Sequence, residues 1–246
     1  SGKSVDIKAD ASHLKEMEVK GTKTNELMTK FRLSILNDTP PQEKKHAEDF
    51  IKANTKSVVS LYLIRKYFFA NSSPDYDKAL SLLALLEKEQ GKDPLFGKMK
   101  TWATNTKNSS KGKQLPTFTA YDLNGKLVSS ADLSSAPVAV IYTWASFNYD
   151  SQELQRELKR RQKKSNGRLK LMGFCLDASK YDCKQNIKRD SITSPTICNG
   201  EMLEDKTLNK LGLKSLPNII LLQNGKIIAR DMKKQELYSK LDELLK

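Results

Sequence analysis

Residues 137–154 read PVAVIYTWASFNYDSQEL. From Pro137 to Trp144 the run is apolar and rich in β-branched residues, at about the length of a strand covered on both faces. After a short exit, Asp150 and Ser151 are suited to cap a helix. Leu154 and Leu158 supply a thin apolar stripe at helical spacing. A strand that runs into a helix N-terminus is where α/β sheets commonly place chemistry, because amide N–H groups and the helix dipole converge there. The residues at that exit therefore decide what the fold is able to do.

Trp144-Ala145-Ser146 resembles the start of WASWCGPC, the redox loop of secreted thioredoxin-like thiol–disulfide oxidoreductases of the TlpA/ResA kind. Laid on that motif, Phe147 stands for the second Trp, Asn148 for the nucleophilic Cys, and Ser151 for the resolving Cys. Tyr149 and Asp150 replace Gly-Pro, and Leu154 falls where redox members usually carry Glu. The resemblance extends over roughly residues 115–246: the opening LPTFTAYDLNGKLVS, Asp177, Pro217 and the closing NGKIIARD all fit it. It implies a cis peptide bond at Pro217, facing the loop. It also implies a binding groove made by Trp144, Phe147, Asn148, Tyr149, Ser151, Leu216 and Pro217.

The pattern across 111–246 agrees. Arg168–Leu176 reads as a second apolar strand, followed by a helix at 179–189 and a short helix at 204–211. Asn218–Gln223 and Lys226–Arg230 flank Asn224-Gly225, a strong hairpin signal, and Asn124-Gly125 marks an earlier one. Leu237, Leu241, Leu244 and Leu245 space a closing helix. The expected fold class is α/β: a thioredoxin-like domain over 111–246, preceded by a mainly α-helical domain over 1–110.

In that first region Val5–Ile7 and Met17–Val19 read as short strands or remnants of a small domain. Helices are expected at 23–36, 41–54, 57–70, 75–90 (with Ser73-Pro74 as cap and first turn) and 94–105. Aromatic residues spaced along them read as core, and His46 as a solvated side chain. The segment FIKANTKSVVSLYLIRKYF resembles the helical stretch ahead of thioredoxin-like domains in Bacteroides-type envelope proteins. Asn105–Leu115, NTKNSSKGKQL, is polar and reads as the interdomain linker.

The chain has 246 residues, 43 Lys and Arg against 29 Asp and Glu, and a formal net charge of +14. That balance favours acidic partners. No helix-turn-helix, zinc finger or aromatic-interleaved basic motif points to nucleic acid, and no apolar run approaches the roughly 18 residues of a membrane span. The three Cys and two His form no CxxC or HxxxH pattern, so neither a metal nor another cofactor is expected.

Thiol–disulfide exchange needs an attacking thiolate and a second thiol to resolve the mixed disulfide. Asn148 and Ser151 supply neither, and a peroxidase reading fails for the same reason. Ser151 as a hydrolytic nucleophile lacks a base, since both His lie before residue 110. Among the remaining thiols Cys175 reads as an inert buried group. Cys183 and Cys198 are candidates for a structural disulfide or, if strained and accessible, a displaced redox centre.

Two functions follow. The first is a redox-inactive module that binds a protein or peptide, acidic in character, through the groove. The second is an oxidoreductase that uses Cys183 and Cys198. A blander option leaves binding to the helical region. The resemblance implies a bacterial cell-envelope address, periplasmic or held by a lipid anchor upstream of Ser1.

Overall fold

The computed structural model describes residues 4–71 and 74–246. The chain divides into two compact units, 1–104 and 105–246.

In the first unit β1 (Asp6–Lys8) pairs antiparallel with β2 (Glu18–Lys20). Then follow α1 (Lys23–Ser34), α2 (Pro40–Ala53) and α3 (Val58–Ile64). α4 (Tyr76–Gln90) and α5 (Pro94–Asn108) complete the helices. Local chemistry fixes the starts. Thr22 caps α1 by accepting the Asn25 amide at 3.1 Å, and Gln42 reaches back to the Thr39 amide at 2.9 Å ahead of the Pro40-Pro41 first turn. Thr29 of α1 both accepts from and donates to the Val19 main chain, each at 3.1 Å, and so holds β2 against the helix.

Two expectations change here. The central helix does not run evenly to Ala70: after Ile64 it widens into a π-helical turn, Arg65–Phe69, closed by Ala70 N–H on Arg65 O at 2.6 Å. The cap of α4 is Asp75, which accepts the Lys78 amide at 3.0 Å. Ser73, expected in that role, lies outside the described residues. The core gathers Phe31, Ile51, Leu61, Leu63, Ile64, Phe68, Leu82, Leu83, Leu86 and Phe96. Phe68, Phe69 and Phe96 are core, and Phe69 meets Trp102 edge-on with centroids 4.0 Å apart, whereas Tyr62 is exposed. His46 is exposed, as expected, with its Nδ1 2.5 Å from Asp38 Oδ2.

The second unit opens with a hairpin, β3 (Thr119–Tyr121) and β4 (Leu127–Ser129), and a single helical turn pair, α6 (Ser130–Ser134). β5 (Val138–Trp144), α7 (Tyr149–Lys164), β6 (Leu169–Cys175) and α8 (Lys180–Arg189) follow. Then come β7 (Thr196–Ile197), α9 (Lys206–Lys210), β8 (Ile219–Gln223), β9 (Lys226–Arg230) and α10 (Lys234–Leu244). The five-stranded sheet has the order β7-β6-β5-β8-β9. β5, β6 and β7 run parallel; β8 runs antiparallel to β5, and β9 antiparallel to β8, so β9 shares the direction of β5.

Strand alternation sorts the core into two layers. Ala139, Ile141, Met172, Ile220 and Leu222 pack on one face, while Val138, Val140, Tyr142, Trp144, Leu171 and Leu221 pack on the other with Leu154, Leu158, Leu237 and Leu241 from the helices. Every residue of β5 is buried, which explains why its sequence is a continuous apolar run. At roughly 1.5–3 kcal/mol per large buried apolar side chain, this strand anchors the unit. The β8–β9 turn has both Asn224 and Gly225 at positive φ, 49° and 76°, the tight hairpin geometry an Asn-Gly pair favours.

Residues 105–115 are not the loose linker that their composition suggests. α5 continues through Asn108, and Ser109 is buried, its hydroxyl donating to Leu211 O at 2.7 Å. Arg230 Nη1 donates to Ser109 O at 2.8 Å and Ser109 Oγ at 2.7 Å, and its Nη2 donates to Gly212 O at 3.1 Å. Gly112 N–H then bonds Ile227 O, and Ile227 N–H bonds Lys113 O, both at 2.8 Å, which lays the segment along β9. Polar side chains are spent on buried main-chain acceptors here, so polarity does not mean solvent.

Candidate functional site

β5 leaves the sheet at Trp144, beside the first residue of β8 and the last of β6, since Tyr142 registers with Ile219 and Trp144 with Cys175. The loops after β5 and before β8 therefore emerge at the same end of the sheet. Leu176 N–H bonds Trp144 O at 2.8 Å, and Ser146 N–H donates to Asp177 Oδ1 at 2.8 Å, so the chain after β6 braces the loop.

The helix cap is Asn148, not Asp150 or Ser151. Its side-chain oxygen accepts the Ser151 amide at 2.8 Å. Ser151 is fully buried, and its hydroxyl accepts the Ala145 amide at 3.1 Å while donating to Asn148 O at 2.9 Å. The two positions aligned with a dithiol thus form a closed set of hydrogen bonds around the loop 145–148. Ser151 Oγ spends its proton on a carbonyl, with no base beside it, so the arrangement offers no activated nucleophile.

The groove residues separate into two groups. Trp144 and Ser151 are buried and serve the core and the loop. Phe147 and Tyr149 are 70% and 73% exposed, and Asn148, Leu216 and Pro217 are half-buried. Arg156 lies over the Tyr149 ring, 5.8 Å from its centroid. The Leu216–Pro217 bond is cis, as the resemblance implies. Thr143 holds this loop in place: its hydroxyl donates to Ser215 O at 2.9 Å and accepts the Asn218 amide at 2.7 Å, and its N–H bonds Asn218 O at 2.9 Å. Lys234 closes the far side of the α7 N-terminus through Asp150 at 3.0 Å and Glu153 at 2.5 Å.

The three cysteines, eight and fifteen residues apart in sequence, converge. Cys175 ends β6, Cys183 lies in α8 and Cys198 follows β7; all three are buried free thiols, with Sγ atoms within 4.8 Å of one another. The Cys183–Cys198 disulfide that the sequence allows is not formed in the structure, and Cys175, which reads from the sequence as an inert buried group, is the third member of the cluster. Spacing along the chain carried no sign of this, because three separate elements bring the thiols together. Cys198 is held well below the usual thiol range by hydrogen bonds from Cys175 and Cys183, helped by the Gly200 amide and Lys180. Cys175 is pushed up by its hydrogen bonds with Cys183 and Cys198 and by burial. For Cys183 the bond with Cys175 acts downward, but the bond with Cys198 and burial outweigh it and raise the thiol.

A central parallel pair with a crossover helix, an antiparallel hairpin after a cis-proline, and a closing helix define a thioredoxin-like fold for residues 105–246. No family model matches the chain, and no curated protein does. Solved structures do. The chain is similar to a C-terminal domain ascribed to a thiol-disulfide oxidoreductase of Bacteroides thetaiotaomicron, at 27% identity and TM-score 0.49, over 56% of this chain and 97% of that one. It is similar to a thiol-disulfide oxidoreductase of Bacteroides fragilis, at 30% identity and TM-score 0.48, over 54% of this chain and 99% of that one. A thioredoxin domain of a Bacteroides vulgatus thiol-disulfide oxidoreductase matches at 20% identity and TM-score 0.49, over 56% and 99%.

Proposed function

We propose that the thioredoxin-like unit is a redox-inactive binding module that docks an extended protein segment at the shared exit of β5 and β8. One observation carries this reading: the two positions aligned with the dithiol are Asn148 and Ser151, tied to each other as a helix cap, while every thiol of the unit is buried elsewhere. Phe147 and Tyr149 supply exposed aromatic surface beside them, and aromatic anchors of this kind dominate docking energetics. The net charge of +14 favours an acidic partner. The WAS motif and its resemblance to secreted oxidoreductases extend the proposal to a bacterial cell-envelope address. No helix among the described residues is long and apolar enough to cross a membrane.

Two measurements test it together. In insulin reduction with dithiothreitol, the wild-type chain is expected to give no rate above the reductant alone. In selection from a displayed peptide library, Phe147→Ser and Tyr149→Ser are expected to lose the peptides that the wild type enriches. Enrichment unchanged by both substitutions would overturn the site.

A second reading, favoured by the convergence of the thiols, is an oxidoreductase that uses Cys183 and Cys198. It demands local opening, because Cys183 is fully buried. An insulin-reduction rate in the wild type that disappears in Cys183→Ser and Cys198→Ser would select it.

A further inference from the structure

The cysteine cluster has features that disulfide chemistry does not need. Three sulfurs, rather than two, lie within 4.8 Å of one another, and among the described residues no fourth His, Cys, Asp or Glu joins them. All three are buried, so solvent supplies no ready fourth ligand. Around a single ion at about 2.3 Å, three trigonal sulfurs stand about 4 Å apart; the 4.8 Å limit on the cluster's separations allows that spacing. Asp177, two residues after Cys175, is buried; its Oδ2 has no hydrogen-bond partner, and its main-chain oxygen accepts from Cys198 Sγ at 3.7 Å.

We propose that Cys175, Cys183 and Cys198 form a three-thiolate site for a soft monovalent d10 cation, copper(I). Thiolates select copper(I) over the harder divalent ions. Protein zinc sites are almost always completed to four ligands, by protein groups or by water at an open position; this cluster provides neither. Binding would replace S–H protons with the ion, so protons leave on uptake and affinity rises with pH. Cys183, on α8, ties the helix to the ends of β6 and β7, so the loaded ion would cross-link three elements. The same chain carries no other Cys, and neither His belongs to this unit.

The test is an anaerobic titration of the full reduced chain with copper(I) in competition with a chromophoric copper(I) chelator. The wild type is expected to withdraw one equivalent and to develop a sulfur-to-copper charge-transfer band in the ultraviolet. Cys198→Ser and Cys183→Ser, each checked for retained far-ultraviolet circular dichroism, are expected to weaken capture at least 100-fold. Cys175→Ala serves as a third variant if either of these fails to fold. Zinc(II), titrated against its own indicator, is expected to bind far more weakly. Failure of the reduced wild type to capture copper(I) would overturn the proposal. So would capture unchanged in the folded variants, or zinc bound as tightly as copper. A single free thiol on the unfolded, unreduced chain, in place of three, would assign the cluster to a disulfide instead. None of these outcomes depends on peptide docking at Phe147 and Tyr149, so the two proposals fail separately.

Discussion

The Asn148 side-chain oxygen accepts the amide of Ser151 at 2.8 Å, and the Ser151 hydroxyl returns a hydrogen bond to the Asn148 carbonyl at 2.9 Å. The pair encloses one helical turn from both sides. Loss of the cap in Asn148→Ala should cost about 1 kcal/mol. Ser151→Ala should cost about 1–3 kcal/mol, because it leaves the buried Ala145 amide without its acceptor. The double variant should fall short of the sum by at least about 0.5 kcal/mol. Urea denaturation of the four proteins measures the coupling, and strict additivity would show that the two residues act independently.

Restoring sulfur at both positions should restore chemistry. A thiol at position 148 would sit at the N-terminus of α7, where amide groups and the helix dipole favour thiolate. Asn148→Cys/Ser151→Cys is therefore expected to reduce insulin at a rate the wild type lacks. A folded double variant that stays silent would mean that the surrounding groove no longer accepts a disulfide substrate.

Gly212 follows α9 at φ 66°, with Leu213 N–H bonding back to Leu208 O at 2.9 Å. A Cβ there would lie 2.7 Å from the Thr106 Cα. Gly212→Ala combines left-handed strain of about 1–3 kcal/mol with a clash against main chain. Thermal unfolding should show a loss at the upper end of that range or beyond; a loss below about 1 kcal/mol would contradict the close approach.

Arg230 is nearly buried and donates to carbonyls of Thr106, Ser109, Leu211 and Gly212. Arg230→Gln should destabilise the unit by at least about 2 kcal/mol. Arg230→Lys should recover little, because one ammonium cannot reproduce the planar fork. Hydrogen exchange supplies a second reading: the Gly112, Leu115 and Ile227 amides should be protected in the wild type and lose protection in Arg230→Gln.

Glu48 is held below its usual 4.5 by hydrogen bonds from Lys52 at 2.7 Å and Lys78 at 3.1 Å. A depressed carboxyl contributes stability that is complete above the unfolded-state pKa and is lost as pH falls through the folded one. Exposed ion pairs of this kind are worth about 0.2–1 kcal/mol. Glu48→Gln should therefore be less stable than the wild type at pH 7, with the gap closing below pH 4.5. A gap that persists at pH 3 would assign the effect to packing instead.

What the sequence disclosed was local or periodic. The apolar run 138–144, the Asn224-Gly225 turn and the leucines of α10 each state their structure within a few residues. Other features depend on partners far along the chain. Ser109 looks like linker because it is a Ser among Lys and Asn; its hydroxyl is buried because Leu211, about a hundred residues on, presents a carbonyl. The thiol cluster needs β6, α8 and β7 assembled before it exists, so no spacing rule detects it. Asn148 was legible as a substitution but not as the cap, since Asp150 and Ser151 satisfy the same preference two and three residues later. The π-turn at Arg65–Phe69 follows a run of apolar residues that an ordinary helix would accommodate equally well.

The anchoring of Arg230 on the last turn of α5 places the boundary between the two units inside a helix rather than after it. A natural exchange of the preceding region, or a deliberate graft of the thioredoxin-like part onto another protein, has its workable seam before Asn105. Joined instead at Gln114, the transplanted piece would arrive with a buried guanidinium missing its Thr106 and Ser109 acceptors and with β9 missing the strand-like segment from Gly112 to Lys113. What looks like the most replaceable stretch of this chain is inherited with the sheet.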